Sequence, residues 1–166
     1  KTVGIVGMGA CGCRLAEILQ VFGCRVIFYA PRPSERAMQL GLQVELPALF
    51  READIISLHC PLTEQTRGLV GKDLLVQMNP SAILINTARG PIVDSAALAE
   101  ALNSGRIAGA GVDVYETEPP ISPEHPLLQA RNCLTTPHVA FASAESMVKR
   151  AEIAFGNVDA YLAGKP

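Results

Sequence analysis

A doubly wound α/β fold, a parallel sheet of about seven strands with helices on both faces, is predicted by three observations. Short apolar runs alternate with segments of helical periodicity along all 166 residues. Runs such as "DIISLH" (54–59) and "AILIN" (82–86) are apolar at consecutive positions rather than at every second one, as in strands buried on both faces. The first apolar run also empties directly into a glycine-rich stretch that opens a helical pattern, as a Rossmann-type unit requires.

The elements follow in order. The strand Val3–Val6 leads into the glycines, and the helix Cys11–Val21 follows them. "RVIFY" makes the second strand, Arg25–Tyr29; a helix over Pro33–Leu40 and a short strand at Leu42–Val44 come next. Helix Leu46–Glu52 precedes the strand Asp54–His59, and helix Lys72–Met78 precedes the strand Ala82–Asn86. The amphipathic "SAALAEAL" run sets a helix over Ser95–Asn103, followed by strands Ala108–Val114 and Asn132–Thr135 and a last helix over Ser143–Leu162. Gly41, Gly105 and Gly164 each fall just past a helical pattern, where helices stop. The one long irregular segment, Tyr115–Arg131, is rich in Pro and Glu, and such loops in compact domains are more often functional than not.

Composition narrows the function classes. With 49% hydrophobic and 18% charged residues the chain can bury one sizeable core, and a net charge of −2 gives no electrostatic footprint for nucleic acid or an anionic membrane. No apolar run approaches the roughly 18–20 residues of a membrane span. No signal peptide is expected, because Lys1 leads straight into a strand-like run. Five cysteines, odd in number and without a C-x-x-C pair, read as reduced thiols in a cytoplasmic protein, and no metal site is expected.

Gly7-Met8-Gly9-Ala10-Cys11-Gly12 is G-x-G-x-x-G between a strand and a helix. Gly7 suits the tight turn, Gly9 lets a pyrophosphate approach the backbone around Ala10 and Cys11, and Gly12 lets helix and strand pack closely. The unpaired amides and the dipole at the helix start then hold the negative charge. A glycine turn serving packing alone is the bland alternative. Dinucleotide folds of this kind usually place a carboxylate after the second strand to bind the ribose; here that position is Ala30, followed by Pro31 and Arg32. Arg32 could pair with the extra phosphate of NADP, with Arg36 assisting one turn on, so NADP is favoured over NAD unless both arginines are merely solvated.

Three later stretches place polar residues just past buried strands. "INTARGPIVD" (85–94) carries Arg89, "GVDVYETEPP" (111–120) carries Asp113 and Glu118, and "TTPHVAFAS" (135–143) carries His138. Ligands of open parallel sheets bind at the carboxyl ends of the strands, so Arg, Glu and His converging there would form a carboxylate anchor, an acid that tunes the histidine, and a proton acceptor. Glu116 competes with Glu118 for the tuning role. Asp113 could instead be a structural cap or partner. His59 and His125 are assigned no catalytic role.

With "VGIVGMGACG", "LHCPLTEQTRGLV", "AILINTARGPIVDSAALAEAL", "GAGVDVYETEPP" and "TTPHVAFAS", the chain resembles the nucleotide-binding domain of the D-isomer-specific 2-hydroxyacid dehydrogenase family over nearly its whole length. The resemblance implies that Arg89 binds the carboxylate and carbonyl of a 2-keto or 2-hydroxy acid, that His138 is the acid/base, and that Glu118 pairs with it and raises its pKa. It also implies that Asp113 holds the nicotinamide amide with Thr87 and Ala88 beside it, and that Cys60, Pro61 and Thr66 line the adenosine side. The missing acidic residue at Ala30 departs from the family pattern and puts NAD preference in doubt. Complete members are about twice as long, so residues 1–166 are expected to be the dinucleotide-binding domain without the substrate-binding domain, and inactive alone. A homodimer is implied as well, since the family's subunit interface falls largely on this domain. A phosphite dehydrogenase-like enzyme is a close variant that a substrate panel separates. A dehydrogenase-related corepressor, which senses nucleotide and docks partner peptides, is the alternative from a different class. NAD(P)H oxidation with glyoxylate, hydroxypyruvate and pyruvate discriminates it.

Overall fold

The computed structural model describes residues 1–117 and 120–165. Seven strands form one all-parallel sheet: β1 (Thr2–Val6), β2 (Arg25–Tyr29), β3 (Leu42–Gln43), β4 (Ile55–Leu58), β5 (Ile83–Asn86), β6 (Gly109–Val112) and β7 (Cys133–Thr135). Their order is β3-β2-β1-β4-β5-β6-β7, with Val6 opposite Tyr29 on one side and Leu58 on the other. The chain runs outward from β1 to β3, crosses back, and restarts at β4. The reversal therefore lies between β1 and β4, where open α/β sheets bind ligands.

Six helices connect and flank the strands: α1 (Ala10–Val21), α2 (Glu35–Leu40), α3 (Leu46–Glu52), α4 (Lys72–Leu75), α5 (Ser95–Asn103) and α6 (Ala144–Leu162). Cys13, Ala16 and Ala37 of α1 and α2 pack with Val3, Ile5 and Phe28 in one apolar layer. Leu49, Phe50, Leu75, Leu98 and Leu102 of α3, α4 and α5 pack with Val6, Ile56 and Leu84 in the other. Phe28 and Phe50 are wholly buried, each contributing about 2–3 kcal/mol through the apolar area it removes from water. Consecutive apolar residues along β1 supply both layers at once, which explains why that strand does not alternate.

Every element anticipated from sequence is present, and the boundaries differ for local reasons. Helix α2 starts at Glu35 rather than Pro33 because the Ser34 hydroxyl accepts from the Ala37 amide at 3.2 Å and caps it. Helix α4 stops at Leu75 rather than Met78, because Gln77 and Met78 bond back only three residues, to Leu74 and Leu75. Strand β1 gains Thr2 and β2 is as expected, whereas β3 to β7 are trimmed at their ends, most at β6, which stops at Val112 although Val114 is buried. The 115–131 segment is pinned where it is described. A 3-10 turn over Pro126–Leu128 buries Leu127, and the His125 ring stands edge-on to Tyr115 at 5.3 Å. Helix α6 opens with a capping box between Ser143 and Ser146 and has no buried residue.

No helix among the described residues is long and apolar enough to cross a membrane. All five cysteines are free thiols.

Candidate functional site

The glycine turn separates three demands that the sequence compresses into one motif. Gly7 has φ +100, and a Cβ there would lie 2.6 Å from the Cys60 amide nitrogen, so both conformation and close approach to the β4 loop require glycine. A Cβ on Gly12 would sit 2.2 Å from the Gly7 carbonyl oxygen, so α1 can leave the strand only if that position is bare. A Cβ on Gly9 would meet nothing within 4 Å. Packing does not explain glycine there, whereas close approach of a ligand does. Gly9 is the N-cap of α1, with no side-chain cap and no acid in the first turn, an arrangement of open amides that suits an anion.

Along the same rim, beyond β4 and β5, Cys11, His59, Cys60, Pro61, Leu62, Thr87, Ala88 and Arg89 line a cleft of about 470 Å³. Burial pushes the Cys60 thiol pKa up and the His59 imidazole pKa down. The Ser57 hydroxyl lies 2.9 Å from His59 Nε2 and gives that ring a polar partner. Thr66 does not line this cleft. Its hydroxyl donates to the Pro61 carbonyl at 2.7 Å and accepts from the Thr63 amide at 2.7 Å, bracing the turn instead.

A second cleft of about 400 Å³ adjoins the first through Thr87 and Arg89, and adds Asp113, His138, Ala140, Phe141 and Arg150. Arg89 is set there by Asn86, buried at the end of β5. The Asn86 amide donates to the Arg89 carbonyl at 3.0 Å and accepts from the Ala88 amide at 3.1 Å. Gly90 follows, and a Cβ there would fall 1.9 Å from the Tyr115 carbonyl carbon, so the turn that carries Arg89 lies directly on the β6 exit.

His138 is held in the left-handed region at φ +56, which costs a non-glycine residue on the order of 1 kcal/mol. Asp113, 3% exposed at the end of β6, over-determines that turn. Its carboxylate accepts from the Thr136 hydroxyl at 2.5 Å, the Val139 amide at 2.8 Å and the Ala140 amide at 2.9 Å. Burial alone would raise the Asp113 pKa. The Thr136, Ala140 and Val139 donors and the nearby His138 outweigh it and hold the carboxyl below the ordinary aspartate range. Asp113 thus clamps the His138 loop and also lines the cleft.

The remaining expectations divide. Arg89 and His138 line one cleft. Glu118 lies outside the described residues, and with it the expected effect on His138. Its competitor Glu116 is committed elsewhere, with its carboxylate 3.0 Å from His125 Nε2. Burial pushes the Glu116 carboxyl pKa up, but the Ser95 and His125 hydrogen bonds lower it further. Ala30 is buried at the end of β2, its carbonyl accepting from the Gln43 amide. Arg32 is exposed, whereas Arg36 does not stand ready to assist it: its guanidinium is paired with Glu17, which also holds Arg14. Among the described residues no group of three or more His, Cys, Asp or Glu side chains could hold a metal ion. Sequence reasoning missed Asn86, Phe141 and Arg150. Only Asn86 left a signal, a polar residue closing an apolar strand.

The profile of the D-isomer specific 2-hydroxyacid dehydrogenase NAD binding domain matches residues 1–140. A glyoxylate reductase from Aeropyrum pernix is 46% identical over 99% of this chain, which covers 50% of that protein. The NAD-complexed D-isomer specific 2-hydroxyacid dehydrogenase from Lactobacillus delbrueckii ssp. bulgaricus superposes with TM-score 0.91 and 33% identity, over 99% of this chain and 54% of that one. An acyclic imino acid reductase in complex with NADPH and D-Arg superposes with TM-score 0.88 and 35% identity, over 100% of this chain and 52% of that one. The chain spans about half the length of the curated relatives it matches.

Proposed function

Because the chain belongs to the D-isomer specific 2-hydroxyacid dehydrogenase family, we propose that it is the dinucleotide-binding and catalytic domain of an NAD(P)-dependent oxidoreductase. Its substrate is a small 2-oxo acid or (R)-2-hydroxy acid. The observation that carries this reading is that Arg89 and His138 line one cleft, joined through Thr87 and Arg89 to the cleft beside the glycine turn.

Reducing a 2-oxo acid places a hydride on C2 and a proton on the carbonyl oxygen. A bound nicotinamide supplies the hydride. The Arg89 guanidinium offers a two-pronged fork to the carboxylate and stabilises the carbonyl oxygen as it gains negative charge. His138 delivers the proton to that oxygen, with Glu118 as its acidic partner. Asp113 fixes the His138 turn and offers a carboxylate oxygen to the carboxamide. Gly7, Gly9 and Gly12, with the amides of Ala10 and Cys11, hold the pyrophosphate, and Cys60 and Pro61 flank the adenosine. The open space at Gly9 and the uncapped start of α1 fit that group.

Either NAD or NADP is compatible with this site, and the relatives include one solved with each. NADP is favoured here, because Ala30 supplies no carboxylate to repel a 2′-phosphate and Arg32 engages no partner among the described residues.

The test is ligand binding in two steps. NADH and NADPH are expected to bind the chain, seen as enhanced nicotinamide fluorescence, and oxamate, a 2-oxo acid mimic, to bind the loaded chain. Arg89→Gln should weaken oxamate by at least about tenfold, the worth of one charge-assisted contact, while the dinucleotide still binds. Oxamate affinity unchanged in R89Q, or no dinucleotide binding at all, overturns the reading.

A further inference from the structure

The cleft that holds Arg89 and His138 contains a second guanidinium. Arg150, in the second turn of α6, lies with its Cζ 4.6 Å from the Phe141 ring centroid, and Phe141 meets the His138 ring edge-on at 5.9 Å. All three line the same space as Arg89. Stacking on an aromatic face fixes a guanidinium while leaving its N–H edge free to bond in the ring's plane.

Three arginines elsewhere on this surface pair with carboxylates, whereas Arg51 and Arg106 bond to an amide oxygen and a backbone carbonyl. Arg14 and Arg25 lie 3.0 and 2.9 Å from Glu17 and Glu52, and Arg36 also pairs with Glu17. Arg150 has no carboxylate partner among the described residues, and Phe141 is its contact. Asp113, the one carboxylate that lines the cleft among the described residues, already accepts from three donors. Among the described residues, two guanidiniums therefore share about 400 Å³ with one carboxylate, whose charge three donors already offset. The first carboxylate of a 2-oxo acid neutralises Arg89 and leaves Arg150 uncompensated.

We propose that Arg150 is a specificity-determining residue that recognises a second negative charge on the substrate, so the preferred ligand is a 2-oxo acid with a distal anionic group. This rests on the 2-oxo acid reading above and adds the substrate class to it.

The experiment compares matched ligands on the NADH-loaded chain by NMR titration, following backbone amides of the His138–Phe141 turn and arginine Nε resonances. 2-Oxoglutarate and 2-oxopentanoate share a chain length and differ in the terminal carboxylate; phosphohydroxypyruvate and hydroxypyruvate make the same comparison for a phosphate. At low salt the doubly charged member of at least one pair is expected to bind on the order of tenfold tighter, the gain from one added charge-assisted contact. Whichever pair shows it names the anion. The preference should shrink with added salt, approach one in Arg150→Gln and return in part in Arg150→Lys, which restores charge without the fork. A ratio near one for both pairs in the unsubstituted chain, or a ratio that survives R150Q, overturns the proposal. If both members of each pair bind equally and R89Q weakens them together, only the role of Arg150 falls. If no 2-oxo acid binds while NADH does, the 2-oxo acid reading falls with it.

Discussion

Replacing Asp113 with Ala removes the acceptor for three donors and the clamp on the His138 turn. Thr136, Val139 and Ala140 donate to one carboxylate that is 3% exposed. A hydrogen bond to a charged acceptor contributes about 1.5–3 kcal/mol net, and the three do not add, because Val139 and Ala140 are exposed residues whose amides can turn to water once the carboxylate is gone. A loss of about 3 kcal/mol is expected, a large share of the ~5–15 kcal/mol that stabilises a domain. With a urea dependence near ~2 kcal/mol per molar, the unfolding midpoint by circular dichroism should fall by about 1.5 M. Hydrogen exchange at Val139 and Ala140 should accelerate in the folded state as His138 relaxes from φ +56. The Asp113 pKa is depressed on folding, so its contribution is full above the ordinary aspartate value of about 3.8 and is lost as pH falls below that value through the folded one. The midpoint difference between wild type and D113A should therefore be flat at neutral pH and narrow in acid. A midpoint shift under ~0.3 M with exchange at 139–140 unchanged would refute the clamp, since even one lost charged bond should exceed it.

Gly12→Ala, whose Cβ would meet the Gly7 oxygen at 2.2 Å, should lower stability by about 2–3 kcal/mol and abolish dinucleotide binding. Gly9→Ala meets no protein atom and should cost only glycine's N-cap advantage over alanine, about 1 kcal/mol or less, while weakening NADH at least tenfold; equal NADH affinity in G9A would mean that no ligand approaches this glycine closely. Asn86→Ala leaves the Ala88 amide and the Arg89 carbonyl without their partner, and should cost about 2–3 kcal/mol and weaken oxamate more than NADH in binding titrations. Arg32→Asp should weaken NADPH far more than NADH by nicotinamide fluorescence, and parallel losses would remove Arg32 from cofactor choice.

Much of this molecule is local information. Consecutive apolar residues in "AILIN" and "DIISLH" declare strands buried on both sides, and strand–helix alternation then leaves little choice but a parallel sheet. Gly7, Gly9 and Gly12 are legible because each answers a backbone demand within a few residues of itself. Arg89 and His138 could be named because each directly follows a strand, and a parallel sheet brings such positions to one rim.

What the chain could not show on its own depends on contacts between distant segments. Whether Arg36 is free for a phosphate turns on Glu17, 19 residues away on a different helix. Which groups Asp113 holds is visible only once Thr136, Val139 and Ala140, 23 to 27 residues later, are folded onto it. Glu116 resembles Glu118 in sequence, and only the turn that brings back His125 commits it elsewhere. Arg150 is one charge on a solvated helix until α6 runs past Phe141 and turns it into the cleft. Periodicity and turn chemistry are short-range and survive in the linear chain, whereas the partner of a charged side chain is chosen by packing.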